Sequence, residues 1–186
     1  MLLPIPFILA AGLWVSWPWI APQLRSTTSA KGAADLVVVL DGIPSRLAAA
    51  ERIVAALPAA PQHLLIRCPG LPLPPQAMSE LLQGFDTATQ ITALAQWFAQ
   101  QQSPRPLRVW IATDPDHTAR AVLNAQIALG PLGIQVGPTP PPQPSHGERH
   151  KIMRDALRLQ LWRATGSTGA WLAPEVAARK HQACGL

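Results

Sequence analysis

Leu36-Val37-Val38-Val39-Leu40 is an unbroken apolar run, closed by Asp35 on one side and Asp41 on the other. A strand with one wet face alternates apolar and polar residues. A strand without alternation has to be covered on both faces, which calls for a parallel sheet with helices above and below it. The segments that follow supply those helices. Residues 45–57 place Leu47, Ala50, Ile53, Val54 and Leu57 on one helical stripe, with Ser45 as the expected cap and Pro58 and Pro61 as the stop. Residues 63–67 (HLLIR), 108–113 (RVWIAT) and 134–136 read as further strands. Helices are expected over 76–83, from near Thr87 to 102, and over 117–129. Strand and helix alternate, so the connections are βαβ crossovers. Residues 137–145 (GPTPPPQPS) have too few backbone donors for regular structure and read as an extended linker. Beyond them, residues 148–164 form an amphipathic helix with Ile152, Ala156 and Leu159 on its apolar line and Lys151, Arg154 and Arg158 on another face.

The first 24 residues pose a different problem. Residues 2–24 carry no charge, and residues 5–21 are almost wholly apolar. That length lies near the lower limit of about 17–20 residues for crossing a bilayer. Trp14, Trp17 and Trp19 crowd its end and Arg25 follows, the aromatic belt and cation that close a membrane helix. The basic start of a cleaved leader is absent, so a retained single-pass anchor is the preferred reading. The expected organisation is an anchor or signal-like segment over 1–24, a linker over 25–34, an α/β domain over 35–170 and a C-terminal tail over 171–186. Arg25 and Lys31 give only a weak vote for a cytoplasmic domain, and the side of the membrane stays open.

Charge narrows the partners. Only 13% of residues are charged, against about 25% in an ordinary domain. The net charge of +5 is concentrated in residues 147–186, which hold seven basic and three acidic side chains. No dense Lys/Arg run or aromatic-basic motif accompanies it, so nucleic acid is not an expected partner. Cys68 and Cys184 lack metal-ligand spacing; the two could bridge, which sequence does not decide, and free thiols are the default reading; no metal site is expected.

Ligands of open α/β sheets bind at the carboxyl ends of the strands. The first strand runs into Asp41-Gly42-Ile43-Pro44-Ser45-Arg46. Asp41 is an acid at a strand end, Gly42 permits close backbone approach, and Arg46 sits in a first helical turn that already attracts anions. A lone glycine is not a dinucleotide fingerprint, and Asp41 and Ser45 serve equally well as turn and cap. Asp86 opens Asp86-Thr87-Ala88-Thr89-Gln90 either as a cap or as a site residue. In Asp114-Pro115-Asp116-His117-Thr118-Ala119-Arg120, His117 and Arg120 share a face of a first helical turn. Histidine is the acid/base candidate and arginine an anion holder. The bland alternative has Asp116 capping, Asp114 turning the chain and His117 in solvent.

Taken together, residues 35–40, Gly42, Ser45-Arg46, Asp86 to Gln90 and above all Thr113 to Ala121 (TDPDHTARA) resemble the YdcF-like family, which includes SanA and ElyC. The closest likeness is to its cyanobacterial branch, through the helix Arg154-Asp155-Ala156-Leu157-Arg158 to Trp162-Arg163. The resemblance covers roughly residues 35–170. It implies a Rossmann-like three-layer fold with a mostly parallel sheet, often behind N-terminal membrane segments. It also implies a role in the cell envelope for some members and, as a candidate cofactor only, S-adenosylmethionine. By position it places Gly42, Arg46, Asp86, Thr87, His117 and Arg120 around a pocket, beside the Asp41 read from the strand end. The expected function is a membrane-associated protein that binds a small anionic or nucleotide-like ligand. The alternative is a non-catalytic envelope factor acting through lipid or partner contacts of its basic C-terminal helix. Neither reading decides whether the chain is an enzyme.

Overall fold

The computed structural model describes residues 34–41, 43–57, 62–67, 80–101, 108–138 and 146–184. The expected membrane segment at 1–24 and all but Ala34 of the linker lie outside them, as do Gly42 and Cys68. Among the described residues, no helix is long and apolar enough to cross a membrane.

The chain is α/β. Five parallel strands, β1 (Leu36–Leu40), β2 (Gln62–Arg67), β3 (Glu80–Gln83), β4 (Arg108–Ala112) and β5 (Gln135–Gly137), lie in the order β3-β2-β1-β4-β5. This is the Rossmann-like order without its sixth strand: the chain builds outward from β1 on one side, then returns to its other side. β1 is therefore central, every residue of it is buried, and its lack of alternation has its physical cause. Val37 and Val39 point to one face, where they meet Leu65, Ala112 and α1 (Pro44–Ala55) through Ala50, Leu47 and Ile53. Leu36, Val38 and Leu40 point to the other. There they pack with α2 (Thr87–Gln100), α3 (Pro115–Leu129) and α4 (His146–Thr165) through Leu94, Phe98, Val122 and Leu159. Among the described residues the result is three layers, with one helix packed on one face of the sheet and three on the other.

Three segments differ from expectation. The helix expected over 76–83 is absent from its described part: Glu80–Gln83 is β3, with Leu64 opposite Glu80 and Arg67 opposite Gln83. A short run beside Gly84 cannot repay helix nucleation, whereas the edge of β2 offers it a ready row of backbone partners. Ser45 does not cap α1. Pro44 occupies the first turn after Ile43, and the Ser45 hydroxyl is spent on Asp114 instead. The stretch 171–186, expected as a tail, contains α5 (Pro174–Ala183), joined to α4 by a 3-10 turn at Ala170–Leu172. Cys184 at the end of α5 is buried and disulfide-bonded, not a free thiol.

Phe98 is fully buried at the centre of the three-helix face and stacks edge-on against Trp97 at 4.9 Å. Phe98→Ala is expected to cost about 3–5 kcal/mol of stability. Urea denaturation of the two proteins measures this, and a loss under 1 kcal/mol, to order of magnitude, would mean that this face is not the core.

Candidate functional site

At the carboxyl ends of β1 and β4 the chain changes its direction of travel across the sheet, and a crevice opens there. It encloses about 250 Å³. The strand ends supply Asp41 and Thr113, α1 supplies Arg46, and the start of α2 supplies Asp86, Thr87 and Gln90. The first two turns of α3 supply His117 and Arg120, while α4 and α5 add Arg154, Asp155 and Lys180.

The floor is an ion cluster. Asp41 takes the left-handed conformation, φ 66°, which aspartate tolerates better than most side chains. Its carboxylate accepts from Arg46 and from the amide of Gln90. Arg46 also donates through Nε to Asp114 at 2.7 Å and through Nη1 to the Leu40 carbonyl at 3.2 Å. One buried guanidinium thus joins the end of β1, the start of α1 and the start of α3. Burial alone would raise the Asp114 carboxyl, but the Ser45 hydroxyl and Arg46 outweigh it and hold the group below its ordinary value. Gly84 completes the floor. A Cβ there would stand 2.6 Å from the Gln90 backbone nitrogen, so only glycine lets the β3 end press against α2.

The second cluster centres on Asp86. It caps α2 in a reciprocal box with Thr89, 3.0 Å from carboxylate to backbone N–H and 2.9 Å from hydroxyl to backbone N–H. Its other oxygen accepts from Arg158 of α4 and from Lys180 of α5, each at 2.7 Å. Cap and site residue were offered as alternatives for Asp86; it serves as the cap and lines the crevice. Burial would raise its carboxyl, yet Arg158 and Lys180 together hold it far below the ordinary carboxylate range.

The third corner lies between α3 and α4. Glu148, 4% exposed, stands 3.2 Å from Arg120 Nε and 3.6 Å from His117 Nδ1, and it receives a hydrogen bond from Lys151 at 2.8 Å. Burial raises the Glu148 carboxyl, and Lys151, Arg120 and His117 more than reverse it. The Arg120 and His117 approaches are close enough for attraction but lack hydrogen-bond geometry. His117 Nδ1, Arg120 Nε and Glu148 Oε2 are all buried without a hydrogen-bond partner among the described residues. Buried polar atoms are nearly always satisfied, so this corner retains unused donor and acceptor capacity.

Of the residues singled out from sequence, Asp41, Arg46, Asp86, Thr87, His117 and Arg120 all line this one crevice, and Gly42 lies outside the described residues. Arg46 differs from its expected role as an anion holder, because Nε and Nη1 are already occupied by protein acceptors. Sequence reading missed Gln90, Glu148, Asp155, Arg158 and Lys180. The basic face of α4 was visible as a pattern; that Arg158 reaches across to Asp86 was not. Among the described residues, no group of three His, Cys, Asp or Glu side chains is placed to hold a metal.

The lowered carboxyls stabilise the folded state at neutral pH. That contribution is complete above the ordinary carboxyl value and disappears as the pH falls toward the lower folded one. Asp86→Asn, which strands Arg158 and Lys180, is expected to cost about 3 kcal/mol at neutral pH. The gap from wild type should narrow once the pH drops below about 4. Urea denaturation of both proteins at neutral and acid pH checks this, and a gap independent of pH would contradict it. No family model, curated protein or solved structure matches the chain.

Proposed function

We propose that this chain is a membrane-associated protein of the YdcF-like type, whose crevice binds a small anionic or nucleotide-like ligand in cell-envelope biogenesis. One observation carries the reading. Residues from separate stretches, chosen for their chemistry at strand and helix ends, converge on a crevice at the switch point of a parallel sheet, and its Arg120–His117 corner has unspent hydrogen-bonding capacity. Arg120 is the anion holder, since its buried guanidinium has an Nε without a hydrogen-bond acceptor. His117 is the group through which a proton would move, with Glu148 beside its ring. Transfer or hydrolysis at a phosphorylated envelope precursor is the reaction class such a set serves, an argument from fold-level analogy. The crevice volume of about 250 Å³ suits a phosphate-bearing fragment, below the roughly 300–1,000 Å³ of most small-molecule sites.

S-adenosylmethionine fits these residues poorly. Its sulfonium cation calls for a carboxylate, but Asp41 is held by Arg46 and Asp86 by Arg158 and Lys180. The membrane association rests on the uncharged segment 2–24 with its tryptophan belt. The non-catalytic alternative, an envelope factor working through its C-terminal helices, has the exposed Met153 and Leu157 of α4 in its favour.

The test is thermal unfolding of the purified full chain in detergent with inorganic phosphate, nucleoside mono- and diphosphates and S-adenosylmethionine. A ligand at about 100 times its Kd should raise Tm by about 5–10 °C. Arg120→Gln should abolish that shift, while His117→Gln should retain it and lose any turnover. If no phosphate-bearing probe shifts the wild type, the proposal fails.

A further inference from the structure

The outer surface of α4 and α5 has no role in the crevice, yet it is unusual in composition. All the large apolar side chains exposed among the described residues fall there: Met153 and Leu157 on α4, Trp171 at 69% and Leu172 at 65% in the turn, and Val176 on α5. Met153, Leu157 and Leu161 follow one another at i, i+4, i+8 along a single stripe. The stripe continues into the turn. A Cβ on Gly169 would stand 2.8 Å from Leu161 Cδ2 and 3.3 Å from Leu172 Cδ1, so both leucines meet at that glycine. Gly169 has φ 68°, a conformation that favours glycine. Arg158 Nε donates to the Thr168 carbonyl at 3.3 Å and pins the turn from its other side. Trp171 and Leu172 are thus carried outward by a built turn.

The fringe of this ridge has one sign. On the helices that form it, Arg149, Arg163 and Arg179 are exposed, against Glu175 as the single exposed acid of the described C-terminal residues. Glu148 and Asp155, the other acids of this region, are buried and paired inward. Arg149 lies one turn before Met153 on the same stripe. An apolar ridge with an indole at its crest and arginines along its flanks has the chemistry of a bilayer interface, where aromatic rings sit at headgroup depth and cations meet lipid phosphates. A second copy of the chain is a poor occupant, because face-to-face pairing would bring the arginines of both copies together.

We propose that the ridge Met153–Leu157–Leu161–Trp171–Leu172 is a monotopic docking surface for an anionic lipid bilayer, holding the domain flat on the membrane that its N-terminal segment enters. This deepens the membrane association proposed for the chain and is independent of the crevice ligand. A chain tethered by residues 1–24 meets the bilayer at high effective concentration, so a weak patch is enough to dock it. Docking by this ridge would fix the orientation of α4 and α5, whose other faces hold Arg154, Asp155 and Lys180 at the crevice.

The experiment uses the full chain with phosphatidylcholine vesicles, with and without phosphatidylglycerol, carrying lipids brominated near the headgroup. Comparing wild type with Trp171→Phe isolates the fluorescence of Trp171, and the variant keeps the ridge apolar. Trp171 should be quenched in anionic vesicles and much less in neutral ones. Arg163→Gln and Arg179→Gln should each weaken that quenching, by about fivefold in the effective docking constant. An alkaline wash of the same vesicles reports the N-terminal segment separately. Quenching before the wash with release after it supports the ridge and removes the anchor. Retention through the wash with Trp171 unquenched keeps the anchor and overturns the ridge. Absence of both overturns both. A concentration-dependent blue shift of Trp171 without bromine quenching would assign the surface to a second copy and overturn the proposal.

Discussion

The ion cluster around Arg46 is the constraint on which the site depends. Its guanidinium is buried at the ends of the two central strands and joins Asp41 at the end of β1 to Asp114 at the entrance of α3. A buried charge of this kind is tolerated only when its partners and hydrogen bonds are nearly complete, and here the Leu40 carbonyl, Gln90 and Ser45 complete the set. Fixing Asp114 fixes where α3 begins, and the start of α3 decides where His117 and Arg120 stand. The cluster is the frame of the crevice and spends Arg46 on protein acceptors, whereas Arg120 Nε, 3.2 Å from Glu148, has no hydrogen-bond partner among the described residues.

The C-terminal helices do two jobs from opposite faces. The inner side of α4 packs Ile152, Ala156 and Leu159 inward and presents Arg154 and Asp155 to the crevice, while Glu148 meets Arg120 and Arg158 reaches Asp86, two residues of its lining. α5 closes over the same opening, with Lys180 on Asp86 and the His181 ring edge-on to Phe85 at 4.2 Å. Asp86 therefore couples three helices through one carboxylate: it caps α2 and ties down α4 and α5. Loss of that charge would loosen the crevice wall and the C-terminal layer together, because both cations would lose their shared partner. The outer side of the same helices is apolar and fringed with arginine, so the elements that wall the crevice also carry the large apolar side chains exposed among the described residues.

How much of this was legible in sequence varies with the range of the interaction. The buried central strand was plain from Leu36 to Leu40, since a run without alternation has only one stable setting. Asp86 as a cap and the starts of α2 and α3 were legible within a few residues, because capping chemistry is local. β3 was not, because a run as short as Glu80–Gln83 carries no period and its pairing depends on β2, distant in sequence. The Asp86–Arg158 and Asp86–Lys180 bridges span 72 and 94 residues, and no spacing rule connects them. The same holds for Arg46 and Asp114: Arg46 was noticed as a candidate for a ligand and Asp114 as a turn residue, and tertiary structure gives much of their charge to one another. The outer side of α4 shows the converse limit, since Met153 and Leu157 adjoin the apolar line of Ile152, Ala156 and Leu159 in sequence, yet only that line is buried and the other two face outward.

The central claim is that Arg46 is committed to the frame and Arg120 is held for a ligand. Nitrogen-15 NMR of the arginine Nε–H groups, in the full chain in detergent micelles titrated with a nucleoside diphosphate, tests it most directly. The account expects the Arg120 Nε resonance to shift and saturate, while Arg46, already bonded to Asp114, stays in place. Movement of Arg46 with Arg120 unchanged, or a titration in which neither resonance moves, would contradict it.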